Sequence, residues 1–394
     1  MAPLNSFFLV SNKNKQMNKV FREDSIIVRI TSAVCFILFA FLYLYHYQAD
    51  VLAMAQHVLS DGKTYYNPLI GSLLITLSLY LLQLLVMRLL PLQTMFHALT
   101  YFPSLLILTI ITDVSPNIDQ GFSFGAWLWV VPLLLVIWLF LSWIAKAWEV
   151  YEPLRFSHGF FSRAVWMNLA QFCCMFVLVG LTANSNEVFH YRMSIERCLV
   201  NHDYDKALTI GEKSLATDSS LTMLRIYALA AKKQLPERLF EYPLMGGSAA
   251  MKPNGTSVKM LLYTDNKLRL LRKSNTDNLL CSYLLDRNID AFAKAIVKIY
   301  NLCNTSNSSN VSNTINNTCT QNTITRSLPK HYREALILYT HLRSNPIVVF
   351  HDDIIDADYR DYQEMERKYA NSQERQTMLR DTYGKTYWYY YDYQ

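Results

Sequence analysis

The sequence predicts an all-α fold: about five transmembrane helices followed by a tetratricopeptide-like α-hairpin repeat domain. Three observations predict it. The composition divides, with Leu, Ile, Val, Phe and Trp filling the first half and Lys, Arg, Asp, Asn and Tyr enriched in the second. The first half holds five apolar stretches of membrane-spanning length. The second half holds a Tyr/Ala/Leu spacing, between His202 and Ser219, of the kind that packs one helix of a hairpin on its partner.

A spanning helix needs ~20 mostly apolar residues to cross a hydrocarbon core ~30 Å thick. The stretches 26–47, 69–90, 92–112, 126–145 and 164–183 meet this, the third interrupted by His97 and Pro103. Lys13, Lys15, Lys19, Arg22 and Arg29 lead into the first span, Arg88 marks the second-to-third turn, and Lys146, Arg155 and Arg163 mark the fourth-to-fifth loop. The alternate loops, 48–68 and 113–125, contain only Lys63. This asymmetry places the amino terminus inside and residues 184–394 outside. Trp127, Trp129, Trp143 and Trp148 lie near span ends, where amphipathic rings favour the interface. Ala53-Met54-Ala55 has a small-x-small cleavage pattern, but the first apolar stretch exceeds a signal core and reads as an uncleaved anchor. No Asp, Glu, Lys or Arg occupies a span centre, which argues against an ion pump or proton-coupled carrier. Gln83, Asn168 and Gln171 are neutral and read as interhelical hydrogen-bond partners.

The domain plan is therefore a basic tail at 1–25, a bundle at 26–183 and an extracytoplasmic helical domain at 184–394. In the pattern from His202 to Ser219, Ala207 is small where two helices cross, Tyr204 and Leu208 fill the partner's groove, and Leu215 extends the stripe. Val188–Val200 reads as the preceding helix, Leu221–Lys233 as the next, and Leu235-Pro236-Glu237-Arg238 as a short restart with proline where its missing N–H is harmless. A further pair spans Asn278–Tyr300, broken near Asn288, and another helix spans Lys330–Leu342. Residues 245–257 read as a loop, and 301–327, rich in Asn, Thr and Ser, as disordered. Residues 351–380 read as charged helix, followed by an aromatic tail expected to pack on its own domain.

The net charge of +6 is spread out, with no basic block for nucleic acid, so the partners expected are the lipid bilayer and an envelope protein or peptide. Of seven cysteines, Cys35, Cys173 and Cys174 fall in spans, and no CxxC or Cys/His spacing suits zinc. Cys303 and Cys319 read as free thiols, with a bridge left open if the domain is extracytoplasmic. No cofactor or metal is expected. His351, Asp352, Asp353, Asp356, Asp358 and Asp361 lack a calcium-loop spacing and read as a solvated face. Asp50, His57, Asp113 and Asp119 in the two outer loops are the catalytic alternative, similar in placement only to the acidic residues of membrane glycosyltransferases that use lipid-linked sugars.

Four passages carry a family resemblance: Gln48-Ala49-Asp50-Val51-Leu52-Ala53 leading to Ala55-Gln56-His57, the loop from Asp113 to Asp119, His331-Tyr332-Arg333-Glu334-Ala335-Leu336, and the Tyr-rich C-terminus. On these the chain resembles an uncharacterised family of polytopic inner-membrane proteins of Bacteroides-type bacteria with a C-terminal tetratricopeptide-like domain. The resemblance implies an inner-membrane protein with a periplasmic helical domain and supplies no reaction. It also implies longer members, of which this chain would be a shortened version. The function expected is a membrane-anchored scaffold or binding protein, with Arg225, Tyr227 and Lys232 on the partner-binding face. The alternative is a glycosyltransferase-like enzyme acting on a lipid-linked glycan.

Overall fold

The computed structural model describes residues 25–92, 94–121, 124–148, 162–262, 276–302 and 328–394. The basic residues before the first span, Arg155, the tract at 303–327 and its Cys303 and Cys319 lie outside the described residues. The described fold is all-α and divides into two compact units, Met1–Asn186 and Glu187–Gln394.

The first unit holds five helices long and apolar enough to cross a membrane: α1 (Ser25–Tyr47), α3 (Pro68–Leu89), a third span Thr94–Thr112, α5 (Trp127–Trp148) and α6 (Arg163–Thr182). Between the first two lies α2 (Ala49–Leu59). The last five residues of α1, Tyr43–Tyr47, widen into a π-turn. α3 begins at Pro68, capped by Asn67, whose Oδ1 accepts from the Leu69 and Ile70 N–H groups at 3.0 and 3.3 Å.

Polarity in α3 is inverted relative to a water-soluble helix. Ser72, Thr76, Leu79, Gln83 and Val86 form its buried stripe, while Leu73, Leu74, Leu77, Leu81 and Leu85 are each at least half exposed. Such an arrangement is stable where the outer solvent is hydrocarbon, because only polar side chains then gain by turning inward.

The third span is broken. Thr94–Tyr101 winds as 3₁₀ turns with a non-helical backbone at Phe96 (φ −120°, ψ 22°), and α4 (Phe102–Thr112) continues from Pro103. The backbone groups this break releases find side-chain partners. Asn168 of α6 accepts from the Ala98 N–H at 2.6 Å and donates to the Thr94 carbonyl at 2.7 Å. Gln171 donates to the Met95 carbonyl at 3.1 Å, and the Trp138 indole to the Leu99 carbonyl at 2.8 Å. Gln83 donates to Thr100 at 3.1 Å. The polar residues of the spans are thus interhelical partners, as expected. Phe36, Tyr101 and Phe172 pack beside this knot, with ring centroids 5.0 and 5.2 Å apart.

The second unit opens with α7 (Glu187–Val200), α8 (Tyr204–Thr209), α9 (Ser219–Ala231) and α10 (Leu235–Arg238). It continues with α11 (Thr276–Leu285), α12 (Ile289–Tyr300), α13 (Lys330–Leu342), α14 (Asp353–Lys368), α15 (Ser372–Tyr383) and α16 (Tyr387–Tyr393). Asp203, Asp218, Asn288, Asp352, Asn371 and Thr386 cap α8, α9, α12, α14, α15 and α16 through side-chain oxygens. Helix α9 is central: every residue from Ser220 to Leu229 is buried, among α7, α8, α10 and the 3₁₀ turn Gly247–Met251. The aromatic tail packs on its own unit as α16, burying Tyr387, Trp388, Tyr389 and Tyr390.

Two expectations change here. The helix read into His202–Ser219 stops at Thr209, because Gly211 turns the chain at φ +64° with Tyr191 stacked close enough (2.9 Å) to exclude a Cβ. Ala207 and Leu208 are buried and Tyr204 packs on the core, but Leu215 falls beyond the helix and is 62% exposed. Residues 245–257 are a loop except for the 3₁₀ turn at Gly247–Met251.

Two measurements test these arrangements. Asn168→Leu leaves the Ala98 N–H and the Thr94 carbonyl without this partner and is expected to lower stability by about 1–3 kcal/mol in thermal unfolding of the detergent-solubilised protein. A wild-type melting profile would show that the broken span does not need its clasp. In α7, Glu196 is fully buried and accepts from the Leu261 and Leu262 N–H groups at 2.9 and 2.8 Å. Burial pushes its carboxyl from the usual 4.5 up to about 7, against the lowering effect of those N–H groups and Arg192. The folded state therefore holds this proton more tightly than the unfolded state. The stabilisation is full below about pH 4.5 and is lost as pH rises through about 7. Glu196→Gln is expected to flatten urea-unfolding stability between these pH values, and an unaltered slope would assign that dependence elsewhere.

Candidate binding cleft and inter-loop cavity

The second unit carries a cleft of about 1180 Å³ where three helix ends meet. Lys330, Arg333 and Glu334 come from the start of α13, His351 to Asp358 from the start of α14, and Thr382, Tyr383, Thr386 and Trp388 from the α15–α16 corner. Its floor is fixed by Glu334, which is 3% exposed. Glu334 Oε2 accepts from His331 Nδ1–H at 2.9 Å and from the Tyr387 N–H at 2.8 Å, and its main-chain carbonyl accepts from the Trp388 indole at 2.9 Å. His331 is fully buried, and its Nε2 accepts from the Phe240 N–H at 3.4 Å, which fixes the ring proton on Nδ1. One carboxylate thereby ties α13 to the first turn of α16.

Several charges of the cleft are consumed internally. Arg333 pairs with Asp352 at 3.2 Å, and Lys330 donates to the Lys385 carbonyl at 3.2 Å. Asp352 also caps α14, and Asp356 accepts from the Asp352 N–H at 3.0 Å while meeting His351 at 3.3 Å and His341 at 3.4 Å. Asp353 and Asp358 are exposed and make no ion pair with another described residue. Among the described residues, no group of three or more His, Cys, Asp or Glu forms a metal-binding cluster.

The residues expected to face a partner lie elsewhere. Arg225 is 1% and Tyr227 3% exposed, since α9 is enclosed on all sides and presents no open face. The Arg225 guanidinium donates to the Gly211 carbonyl at 3.1 Å and the Pro243 carbonyl at 3.4 Å, and lies over the Tyr242 ring at 5.1 Å. It is a clasp between loops. Lys232 sits at the end of α9, paired with Asp205.

The first unit has its own hollow, of about 790 Å³, between α2, the start of α3 and the segment following α4. Leu52, Ala55 and Gln56 form one wall, and Asp113, Val114, Ser115, Asn117 and Ile118 another. The two outer-loop passages of the sequence thus meet in one cavity. Asp113 is held by the Trp127 indole, which donates to Oδ2 at 2.7 Å. Of the four outer-loop candidates, Asp113 alone lines the cavity. Asp50 and His57 occupy the first and last turns of α2, and Asp119 the turn Ile118–Gln120.

The cleft is assembled from positions 330–334, 351–358 and 382–388, so spacing alone did not reveal it. Two of its parts were visible separately: the motif containing Glu334, and the run His351, Asp352, Asp353 and Asp358, which was read as a solvated face. Residues 264–394, which include α11 to α16 and the cleft, match the model of a family described as a family of unknown function (DUF6057). No curated protein and no solved structure matches the chain.

Glu334→Ala strands the His331 Nδ1–H and the Tyr387 N–H in the core. It is expected to destabilise the second unit by about 2–4 kcal/mol and to expose α16 to protease. Limited proteolysis of the full-length protein, read by mass spectrometry, checks this, and wild-type resistance at 387–393 would contradict the clasp.

Proposed function

We propose that this is a membrane-anchored binding protein whose cleft at α13, α14 and α16 receives an extended segment of an envelope polypeptide carrying a basic side chain. The observation that carries the reading is the cleft's residual charge. Once Arg333 is paired and Lys330 is turned to a carbonyl, Asp353 and Asp358 are the carboxylates left at the wall, beside exposed Ile354 and the half-buried Tyr383 ring, with Trp388 buried beneath. Apolar and aromatic surface with a few placed charges is the composition of a peptide-binding hollow.

In this reading the five spans fix the protein in a bacterial inner membrane, amino terminus cytoplasmic, which the Lys and Arg asymmetry of the loops supports. After five crossings the helical unit is periplasmic. Its hairpins are tetratricopeptide-like, a reading supported by Ala207 at the α7–α8 contact and by the packing of successive helices. The enzyme alternative draws less support, because of Asp50, His57, Asp113 and Asp119 only Asp113 lines the cavity, so the structure does not gather the four into one site.

The test places a photo-crosslinking residue at Ile354, 74% exposed, in the full-length protein in native membranes. The expected product is an adduct to one polypeptide through a segment containing Lys or Arg. Its yield should fall about tenfold in the D353K/D358K double variant, the scale of a lost charge-assisted contact. Absence of a polypeptide adduct, or a yield indifferent to the charge reversal, would overturn the reading.

A further inference from the structure

The outer-loop cavity of the first unit is a different kind of site from the cleft. Its floor is apolar and belongs to the spans: Ile75 lies two turns into α3, and Ile110 and Ile111 end α4. Its rim is polar and neutral, with Gln56 and Ser60 from the end of α2 and Ser115, Asn117 and Gln120 from the facing loop. It therefore straddles the level at which hydrocarbon gives way to head groups.

Charge narrows the occupant. Among the described residues that line the cavity, Asp113 is the one ionisable side chain apart from the Tyr66 phenol, and the Trp127 indole donates to its Oδ2 at 2.7 Å. An acyl chain fits the Leu52, Ile75 and Ile111 floor, an ammonium satisfies the carboxylate, and the amide and hydroxyl rim can donate to phosphate oxygens. An anionic head group without an amine meets only repulsion at Asp113. The volume, about 790 Å³, falls in the range that encloses one small amphiphile.

We infer that this cavity binds a membrane phospholipid with a primary-amine head group, its ammonium on Asp113 and one acyl chain along the span residues. The inference depends on the spans lying in a bilayer and is independent of the polypeptide cleft.

The test uses the full-length protein in nanodiscs made from equal parts of phosphatidylethanolamine and phosphatidylglycerol with identical acyl chains. Lipids retained after transfer to mild detergent are counted by native mass spectrometry. Wild type should retain the amine lipid about tenfold over the glycerol lipid, one charge-assisted contact's worth of discrimination. Asp113→Asn keeps an acceptor for Trp127 and should bring the ratio near one. Ala55→Phe, which fills the cavity, should lose retained lipid of both kinds. Equal retention by wild type, or a preference that survives Asp113→Asn, would overturn the assignment, and the wild-type comparison decides even if a variant fails to fold.

Discussion

Every backbone N–H and C=O withdrawn from water must find a partner, and both units are organised around one place where that demand is hardest to meet. In the membrane unit it is the break at Thr94–Tyr101, where the helix stops supplying its own hydrogen bonds. Hydrocarbon offers no substitute, so the neighbouring helix must. Asn168 does so with both ends of its amide, one toward an N–H and the other toward carbonyls. In the helical unit the hard place is the first turn of α16, whose Tyr387 N–H is buried. Glu334 meets it there. The two solutions differ in charge because their surroundings differ: a neutral amide suits hydrocarbon, while the protein-lined core provides His331 as a second donor to a carboxylate.

The same contrast explains what was legible in the sequence. The spans were legible because crossing a bilayer imposes a length and a polarity that no neighbour can alter, and the structure places all five within a residue or two of the stretches read from composition. Helix α13 was legible from its pattern as well, and its bounds agree to the residue. Gln83, Asn168 and Gln171 were legible as hydrogen-bond partners because a polar group in an apolar run has few other uses. Their actual partners were not, because His97 and Pro103 mark an interruption in the third span without saying which backbone groups it releases.

In the helical unit the limits are different. Arg225 and Tyr227 were expected on a partner-binding face because first helices of tetratricopeptide-like hairpins usually line the concave side. Their burial follows from loop carbonyls at Gly211 and Pro243 and from the Tyr242 ring, which are brought to α9 only by the complete fold. The mostly apolar composition around them, from Leu221 to Ala231, was the available signal that this helix is enclosed. Leu215 was misplaced for a local reason, since the glycine four residues earlier ends the helix that would have carried it.

The contacts that complete the second unit's core join distant parts of the chain. Phe240 packs on His331, Tyr387 and Tyr390, and the Tyr390 hydroxyl reaches the Leu285 carbonyl 105 residues away. A chain made from its amino end exposes Phe240 and the α10–α11 surface long before α16 exists to cover them. Between those moments the apolar surface that α16 covers is open. Glu334 would clasp the α16 of a neighbouring copy by the same hydrogen bonds, so what favours the chain's own helix for that place is its covalent connection, through the local concentration it sets.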